Sequence, residues 1–305
     1  MPDKITPEAG LLPAYGAPSV MLPRVTRYSL GDLSPEWAFG GATGKGVRVA
    51  IVDSGVEADH PDLDGSVAAA QGAAVEIDDS GNLVLVRGAH DDSFGHGTAC
   101  AGIVHAIAPK AEIVSIKIFG RGLTGQAAAF EKGLSWAVAE RFDVINLSLG
   151  AMKREWALPF HDLCDQAYFS GSFVVTAAGN TTRPSYPSLY ASVASVACNL
   201  SADPYRFHFN PEPPTEFLAR GVNVTVPWKG GGRTTVTGNS FAAPHISGLV
   251  ALIKSKHPRL RPFQIKTALW ATAANIQEAP EMEAGRVSRV MRAGSTARNQ
   301  GSHLR

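Results

Sequence analysis

The stretch VRVAIVDSG, residues 47–55, joins a run of mostly apolar, β-branched residues to an aspartate and a glycine. A nearly continuous apolar run of this length predicts a strand buried on both faces, as the strands of parallel sheets are. Asp53 then stands immediately beyond the strand, and Gly55 lets the chain turn. An acid at a strand end is common, so Asp53 alone does not indicate catalysis.

Four further runs of this kind follow along the chain. They are EIVSIKIF (112–119), DVINLSL (143–149), FVVTAA (173–178) and SVASVAC (192–198). Helix-like segments alternate with them, at about 96–106, 125–141, 157–170, 241–256 and 262–274. This alternation predicts an α/β fold with a doubly wound, mostly parallel sheet flanked by helices. Ligands of such sheets bind beyond the carboxyl ends of the strands, so we expect the catalytic or binding residues there.

The chain divides into three parts. Residues 1–40 carry six prolines and are predicted to form an extended arm, with regular structure starting near Gly46. Residues 41–276 form the folded domain, in which the polar, proline-rich stretch 201–221 is expected to be a surface loop. Residues 277–305 form a tail with five arginines and no acidic residue after Glu283. A solvated, partly disordered end is favoured there over an arm that binds nucleic acid.

The composition narrows the function classes. Hydrophobic residues make up 45% of the 305 residues and charged residues 18%, which is an ordinary globular profile. A formal net charge of +1 gives no field that attracts nucleic acid or an anionic membrane. The start lacks the features of a secretory signal, and there is no long uncharged apolar run, so a cytoplasmic protein is expected. Three widely spaced cysteines match neither a disulfide framework nor a metal cluster.

Three more residues stand where chemistry is expected. His96 begins a helix in HGTACAG, Asn180 follows a strand in TAAGN, and Ser240 opens a helix in GNSFAAPHISG, residues 238–248. Each has a structural explanation as well: serine is a favoured helix N-cap, and asparagine after glycine is common in turns. The start of a helix also presents unpaired N–H groups that can stabilise an oxyanion. Pro244 is expected to lie in the first turn, where its missing N–H is least needed.

Together with Asp53, these residues fill the roles of acyl transfer: nucleophile, base, orienting acid and oxyanion donors. The chain resembles the subtilisin-like serine proteases. The resemblance rests on VAIVDSGVEADHPDL, GHGTACAG, DVINLSLG, VVTAAGN and GNSFAAPHISGLVALIKSKHP, which occur in the family's order between about Gly46 and Asn275.

The resemblance implies a three-layer α/β/α fold and a serine endopeptidase that acts through an acyl-enzyme intermediate. Ser240 would be the nucleophile, His96 the base and Asp53 the acid that orients the imidazole, in the chain order of subtilisin. Asn180 and the backbone N–H of Ser240 would bind the oxyanion.

The resemblance also implies a polypeptide substrate, bound as an extended strand against the edge of the site. The residues implied to contact it are Leu123, Thr124, Gly125, Ser148, Leu149, Gly150, Ala178, Gly179 and Ser185. Ser185 stands where relatives often carry glycine at the pocket floor. A smaller or more polar pocket is one interpretation, and the side-chain preference stays open.

Several positions depart from the family pattern. Asn239 stands where the family usually has threonine beside the oxyanion site, which leaves the level of activity open. About nine residues that carry a calcium loop in many relatives are missing between AGIVHA and IAP. We therefore expect no cofactor and no metal there, although the sequence leaves a calcium site elsewhere open. GLLPAYG, residues 10–16, loosely resembles the short inhibitory leader of intracellular members, and the alternative is an unstructured leader.

Four functions agree with these observations. An active intracellular endopeptidase is favoured, because each catalytic role has the expected residue type. The alternatives are a maturation protease or acyl transferase dedicated to one precursor peptide, a pseudoprotease that only binds peptides, and a hydrolase of other substrates. The sequence does not indicate the oligomeric state.

Overall fold

The computed structural model describes residues 33–119, 127–181 and 183–278. The segment 10–16, the predicted peptide-binding residues Leu123, Thr124 and Gly125, and the arginine-rich tail lie outside these residues.

A nine-stranded sheet forms the centre of the domain. Its strands are β1 (Arg48–Asp53), β2 (Ala73–Ile77), β3 (Leu83–Arg87), β4 (Glu112–Lys117), β5 (Val144–Leu147), β6 (Phe173–Ala177), β7 (Ala194–Asn199), β8 (His208–Phe209) and β9 (Phe217–Arg220). They are ordered β3-β2-β4-β1-β5-β6-β7-β9-β8 across the sheet. Among the described strands, the inner ones run parallel, and only the edge strands β3 and β8 are antiparallel to their neighbours. The predicted doubly wound, mostly parallel sheet is confirmed.

Helices flank this sheet. They are α1 (Pro35–Phe39), α2 (His96–Ile107), α3 (Ala127–Ala139), α4 (Ala157–Ser170), α5 (Asn239–Lys256), α6 (Pro262–Thr272) and α7 (Ala274–Gln277), and a hairpin of β10 (Val224–Trp228) and β11 (Gly232–Val236) precedes α5. Helix α3 packs with α4, and α2 packs with α5. Val52 of β1 and Leu147 of β5 pack in one cluster with Phe130 of α3 and Phe160 of α4. No described helix is long and apolar enough to cross a membrane.

The central strands are buried on both faces, as their apolar runs predicted. Every residue of β5 and β6 is buried, and in β1 only Arg48 is partly exposed. A strand covered by helices on both sides has no solvent face, so its sequence shows no alternation.

Helix α1 lies inside the stretch predicted to be an extended arm, so among the described residues regular structure is already present at Pro35, before Gly46. The Ser34 side chain caps α1 by accepting a hydrogen bond from the Trp37 N–H. Pro35 occupies the first turn, where a missing N–H removes no helical hydrogen bond. Trp37 stacks on His257 with ring centroids 4.2 Å apart, which anchors α1 at the end of α5.

The stretch 201–221 is more than the surface loop that was expected. It contains β8 and β9, and β9 pairs in parallel with β7. Phe217 and Ala219 of β9 are buried, while Leu218 and Arg220 are only partly so. The alternation of buried and partly exposed residues in β9 covers only four residues, which is too short to predict a strand in a proline-rich stretch.

The order of the strands reverses at β1, because β4 lies on one side of it and β5 on the other. The carboxyl end of such a strand opens into a crevice between the loops that leave in opposite directions. Asp53 is the last residue of β1. The fold therefore places this carboxylate at the position where doubly wound sheets bind their ligands.

Candidate active site

Asp53 and His96 form a buried pair. His96 is the first residue of α2, and its Nδ1 lies 2.8 Å from Oδ1 and 2.9 Å from Oδ2 of Asp53. The carboxylate is fully buried, and His96 is 8% exposed. Because an ionised carboxylate can only accept, Nδ1 carries the proton and Nε2 of the neutral ring is left as an acceptor.

Two opposing effects act on the imidazole of His96. Burial is the largest single effect and disfavours the protonated ring, but the charge and hydrogen bond of Asp53, together with the contact of Cys100, outweigh it, and the pKa of His96 is raised well above its usual value. An imidazolium formed at this position is therefore stabilised. This is the support that a general base needs when it takes up a proton during a reaction.

Asp92, which the sequence did not single out, holds the start of α2. Gly95 precedes the helix with φ 117°, and a Cβ on it would lie 2.7 Å from the ring of Trp228, so the N-cap has no side chain. The buried Asp92 carboxylate caps the helix in its place. It accepts hydrogen bonds from the N–H groups of Phe94, Gly95 and Thr98 and from the hydroxyls of Ser54 and Thr98. The sequence does contain a signal for this role of Asp92. The predicted helix start has a glycine at the capping position, and an aspartate stands four residues before His96.

Ser240 is the second residue of α5, so Pro244 lies beyond the first turn of the helix and not within it as predicted. Pro244 has no N–H, and the carbonyl of Ser240, four residues earlier, consequently has no helical donor. The hydroxyl of Ser148 donates to this carbonyl at 2.7 Å and accepts from the side chain of Asn146 at 2.9 Å. The peptide group of Ser240 is therefore anchored to the end of β5.

Phe241 and Cys100 connect His96 with the start of α5. The ring of Phe241 packs on the imidazole with centroids 5.0 Å apart. The thiol of Cys100 lies 3.9 Å from Nδ1 of His96 and 3.7 Å from the carbonyl oxygen of Ser240. Burial raises the pKa of this thiol, which therefore keeps its proton.

Asp53, His96 and the segment that carries Ser240 thus lie in one cluster, and the triad itself stays a prediction. The hydrogen bonds of His96 go to Asp53 and Cys100, and within the part of the chain that the structure describes none joins Nε2 to the hydroxyl of Ser240. Such contacts often tighten only when substrate is bound.

Asn180 follows β6 and lies exposed beside the first turn of α5. Its Oδ1 accepts a hydrogen bond from the backbone N–H of Asn239 at 3.4 Å. With the oxygen of the amide occupied, Nδ2 is the end left to donate. The two predicted oxyanion donors, this amide and the N–H of Ser240, are therefore carried by segments in direct contact.

The described part of the predicted peptide-binding surface consists of two backbone segments, here called its walls, which both contact Ser185. One is Ser148–Gly150 after β5, and the other is Ala178 and Gly179 after β6. A Cβ on Gly150 would lie 2.1 Å from Oγ of Ser185, and one on Gly179 would lie 3.2 Å from its Cβ. Ser185 is 8% exposed and fills the space between the walls.

A cavity of about 480 Å³ lies beside Leu149 and Gly150. Its described lining combines apolar side chains, among them Phe119, Phe130, Met152 and Trp156, with the charged residues Lys153 and Glu155. A cavity of this size is large enough to hold a side chain.

Asp53, His96 and Cys100 also have the composition of a metal site, since their ligand atoms all lie within 4.8 Å of one another. Among the described residues, no other group of three His, Cys, Asp or Glu residues lies this close together. Their atoms already contact one another: Nδ1 of His96 shares its proton with Asp53, and the thiol of Cys100 lies 3.9 Å from both Nδ1 of His96 and Oδ2 of Asp53. A cation there would have to displace that proton, which the Asp53 carboxylate holds in place.

Comparison with known proteins agrees with this geometry. Residues 44–294 match the Subtilase family. The subtilisin of Bacillus pumilus is 32% identical over 248 residues, which are 76% of this chain and 86% of the relative. The thermostable alkaline protease of Halalkalibacterium halodurans is 32% identical over 245 residues, which are 76% of this chain and 63% of the relative. The chain thus spans less than two thirds of the length of that second protein.

The solved structures agree as well. The crystal structure of a lanthipeptide protease superposes with a TM-score of 0.60 at 25% identity, covering 72% of this chain and 78% of the other. The similarity therefore extends from the motifs to the path of the backbone over most of the domain.

Proposed function

Because this chain belongs to the Subtilase family of serine peptidases, we propose that it is a serine endopeptidase whose catalytic triad is Asp53, His96 and Ser240. The main support is the buried Asp53–His96 pair, in which Nδ1 is held by both carboxylate oxygens and Nε2 has no hydrogen bond to the residues that the structure describes. The start of α5 packs against the same imidazole through Phe241, so the serine that opens this helix is close to the base.

The first half of the proposed reaction forms an acyl-enzyme. Oγ of Ser240 attacks the carbonyl carbon of the peptide, and its proton passes to Nε2 of His96. Asp53 stabilises the resulting imidazolium, while Nδ2 of Asn180 and the N–H of Ser240 donate to the oxyanion. The C–N bond then breaks, and His96 gives the proton to the leaving amine.

The second half hydrolyses the ester. A water molecule attacks the acyl carbon, and His96 again takes up a proton. The bond between the acyl carbon and Oγ breaks, and the proton returns from His96 to Ser240. The acid product leaves, and the enzyme is restored.

The substrate would lie as an extended strand along Ser148–Gly150, with an apolar side chain in the cavity beside Leu149. Ser185 closes the space between the two walls, so we propose a shallow pocket that prefers a small residue before the cleaved bond. One missing or extra methylene in such a pocket changes kcat/KM by about 10- to 200-fold.

A fluorophosphonate probe tests the nucleophile. We expect labelling at Ser240, identified by peptide mass spectrometry, because an activated serine attacks this phosphorus centre. Labelling should be lost in Ser240→Ala and strongly reduced in His96→Ala. Ser255→Ala, at the other end of the same helix, is the matched control and should label normally. Folded protein that is not labelled would instead indicate a module that binds peptides without cleaving them.

A second candidate function is the maturation of one precursor peptide, which the structural similarity to a lanthipeptide protease favours. Casein and a panel of short peptides separate the two candidates. A general endopeptidase cleaves casein at many sites. A maturation enzyme leaves casein intact and cleaves one sequence, and an amine added to that reaction reveals any acyl transfer.

A further inference from the structure

The side-chain amide of Asn239 makes three hydrogen bonds to the backbone around the proposed oxyanion site. Its Oδ1 accepts from the N–H of Cys198 at 2.9 Å. Its Nδ2 donates to the carbonyl oxygens of Ala178 at 3.1 Å and Gly179 at 3.4 Å. One side chain thus contacts three separate backbone groups.

These contacts join three elements. Cys198 belongs to β7, Ala178 and Gly179 form the exit of the neighbouring strand β6, and Asn239 is the first residue of α5. Asn180 follows directly after the two carbonyls that Asn239 binds. Its own Oδ1 accepts from the backbone N–H of Asn239, so both ends of the short loop 178–180 are held by the same residue.

We propose that Asn239 is a positioning residue for the oxyanion site, holding the loop 178–180 so that Nδ2 of Asn180 is presented to the reacting carbonyl. The proposal rests on the proposed peptidase function and goes beyond it, since Asn239 acts through Asn180 and touches no substrate.

The chemistry of the amide explains why asparagine suits this position. An amide offers one acceptor oxygen and two N–H donors, which matches one N–H group and two carbonyls. Threonine has a single O–H donor and cannot hold both carbonyls. Aspartate would turn a carboxylate oxygen toward the oxygens of Ala178 and Gly179, where no donor remains.

A double-mutant cycle tests the proposal. Removing an oxyanion donor, as in Asn180→Ala, lowers kcat by about 10²- to 10³-fold, and we expect Asn239→Ala to lower it by about 10- to 100-fold with KM changed less than about threefold. If Asn239 acts through Asn180, then adding Asn239→Ala to Asn180→Ala lowers kcat by less than about a further twofold. The proposal would be overturned if the double variant lost kcat by the product of the two single-variant factors, or if Asn239→Ala left kcat unchanged.

Asn275→Ala is the matched control. The Asn275 amide also accepts from a backbone N–H and donates to a backbone carbonyl, both of Phe209 in the edge strand β8. We expect it to lower the melting temperature as Asn239→Ala does, and to leave kcat unchanged. An equal loss of kcat in both variants would indicate a general effect on stability and would contradict the proposal.

A crystal structure of the Asn239→Ala variant shows the orientation of the Asn180 amide directly and needs no assay of activity. We expect the amide of Asn180 to lose its single orientation, and Asn239→Asp to show the same change. An Asn180 amide that keeps its place in Asn239→Ala overturns the proposal, whether or not the wild type hydrolyses peptides. Conversely, if Asn180 moves as expected while the wild-type chain neither reacts with fluorophosphonate nor cleaves peptides, the peptidase function fails and the positioning contact stands.

Discussion

In the proposed mechanism, His96 acts through Nε2, because Nδ1 is bound by both oxygens of Asp53. A general base works only when it is neutral, and the pKa of His96 is raised well above its usual value by Asp53 in spite of burial. The protonated, inactive form therefore persists to a higher pH than in an ordinary histidine, whose pKa is about 6.5.

We accordingly expect kcat/KM for a peptide substrate to rise with pH along a limb whose midpoint lies above about 6.5. A pH series of initial rates measures it. Asp53→Asn removes the carboxylate charge, and in that variant the midpoint should shift downward as the rate falls. Burial lowers the pKa of His245 to about 4, so that residue does not produce the limb. A wild-type midpoint below the usual histidine value would contradict the prediction.

Single residues differ in how far the sequence predicts them. Asp53, His96, Asn180 and Ser240 each lie in a short motif at a strand end or helix start, so their grouping was expected. The supporting contact of Ser148 joins residues 92 positions apart. Nothing near Ser148 in the sequence indicates that it replaces the N–H that Pro244 lacks, and sequence reasoning assigned it to substrate binding alone.

At the scale of elements, the position of His96 depends on how α2 begins. The buried carboxylate of Asp92 accepts hydrogen bonds from the N–H groups of Gly95 and Thr98 at the start of this helix. We expect Asp92→Asn to lower the free energy of unfolding by about 2 to 4 kcal/mol, because the new NH₂ group faces donors and leaves some of them unpaired. Urea unfolding measures the change, and the rate of peptide cleavage should fall with it.

Asp91→Asn is the control for this element. The neighbouring Asp91 side chain is 77% exposed and pairs with Lys117 on the surface. Exposed ion pairs contribute about 0 to 1 kcal/mol, so this variant should be nearly as stable as the wild type. Equal losses in the two variants would show that the Asp92 cap is not what stabilises the helix start.

Elements were predictable where they are long and buried. The strands that surround β1 appear as apolar runs, because helices cover both of their faces. Helix α1 and strand β9 were missed, since one is five residues long and begins with proline, and the other has only four residues. Both are stabilised by partners that are distant in sequence, His257 for α1 and β7 for β9.

At the scale of the whole molecule, helix α2 runs without interruption from His96 to Ile107, through the point where many relatives carry a calcium loop. We expect the domain to fold without calcium, so a chelator such as EGTA should shift the melting temperature by less than about 1 °C. Thermal unfolding with chelator and with added calcium measures this. A fall of several degrees that calcium restores would contradict the prediction and would indicate a calcium site elsewhere in the chain.

Helix α5 is buried along nearly its whole length against strands β5, β6, β7 and β9, all of which precede it in the chain. A ribosome makes the acid and the histidine early and the serine late, so a growing chain holds the base long before it holds the nucleophile. Until α5 emerges, the part of the sheet that α5 covers stays exposed, and such apolar surface is what chaperones bind. In the proposed mechanism, an unfinished chain therefore lacks the nucleophile and has no complete catalytic triad.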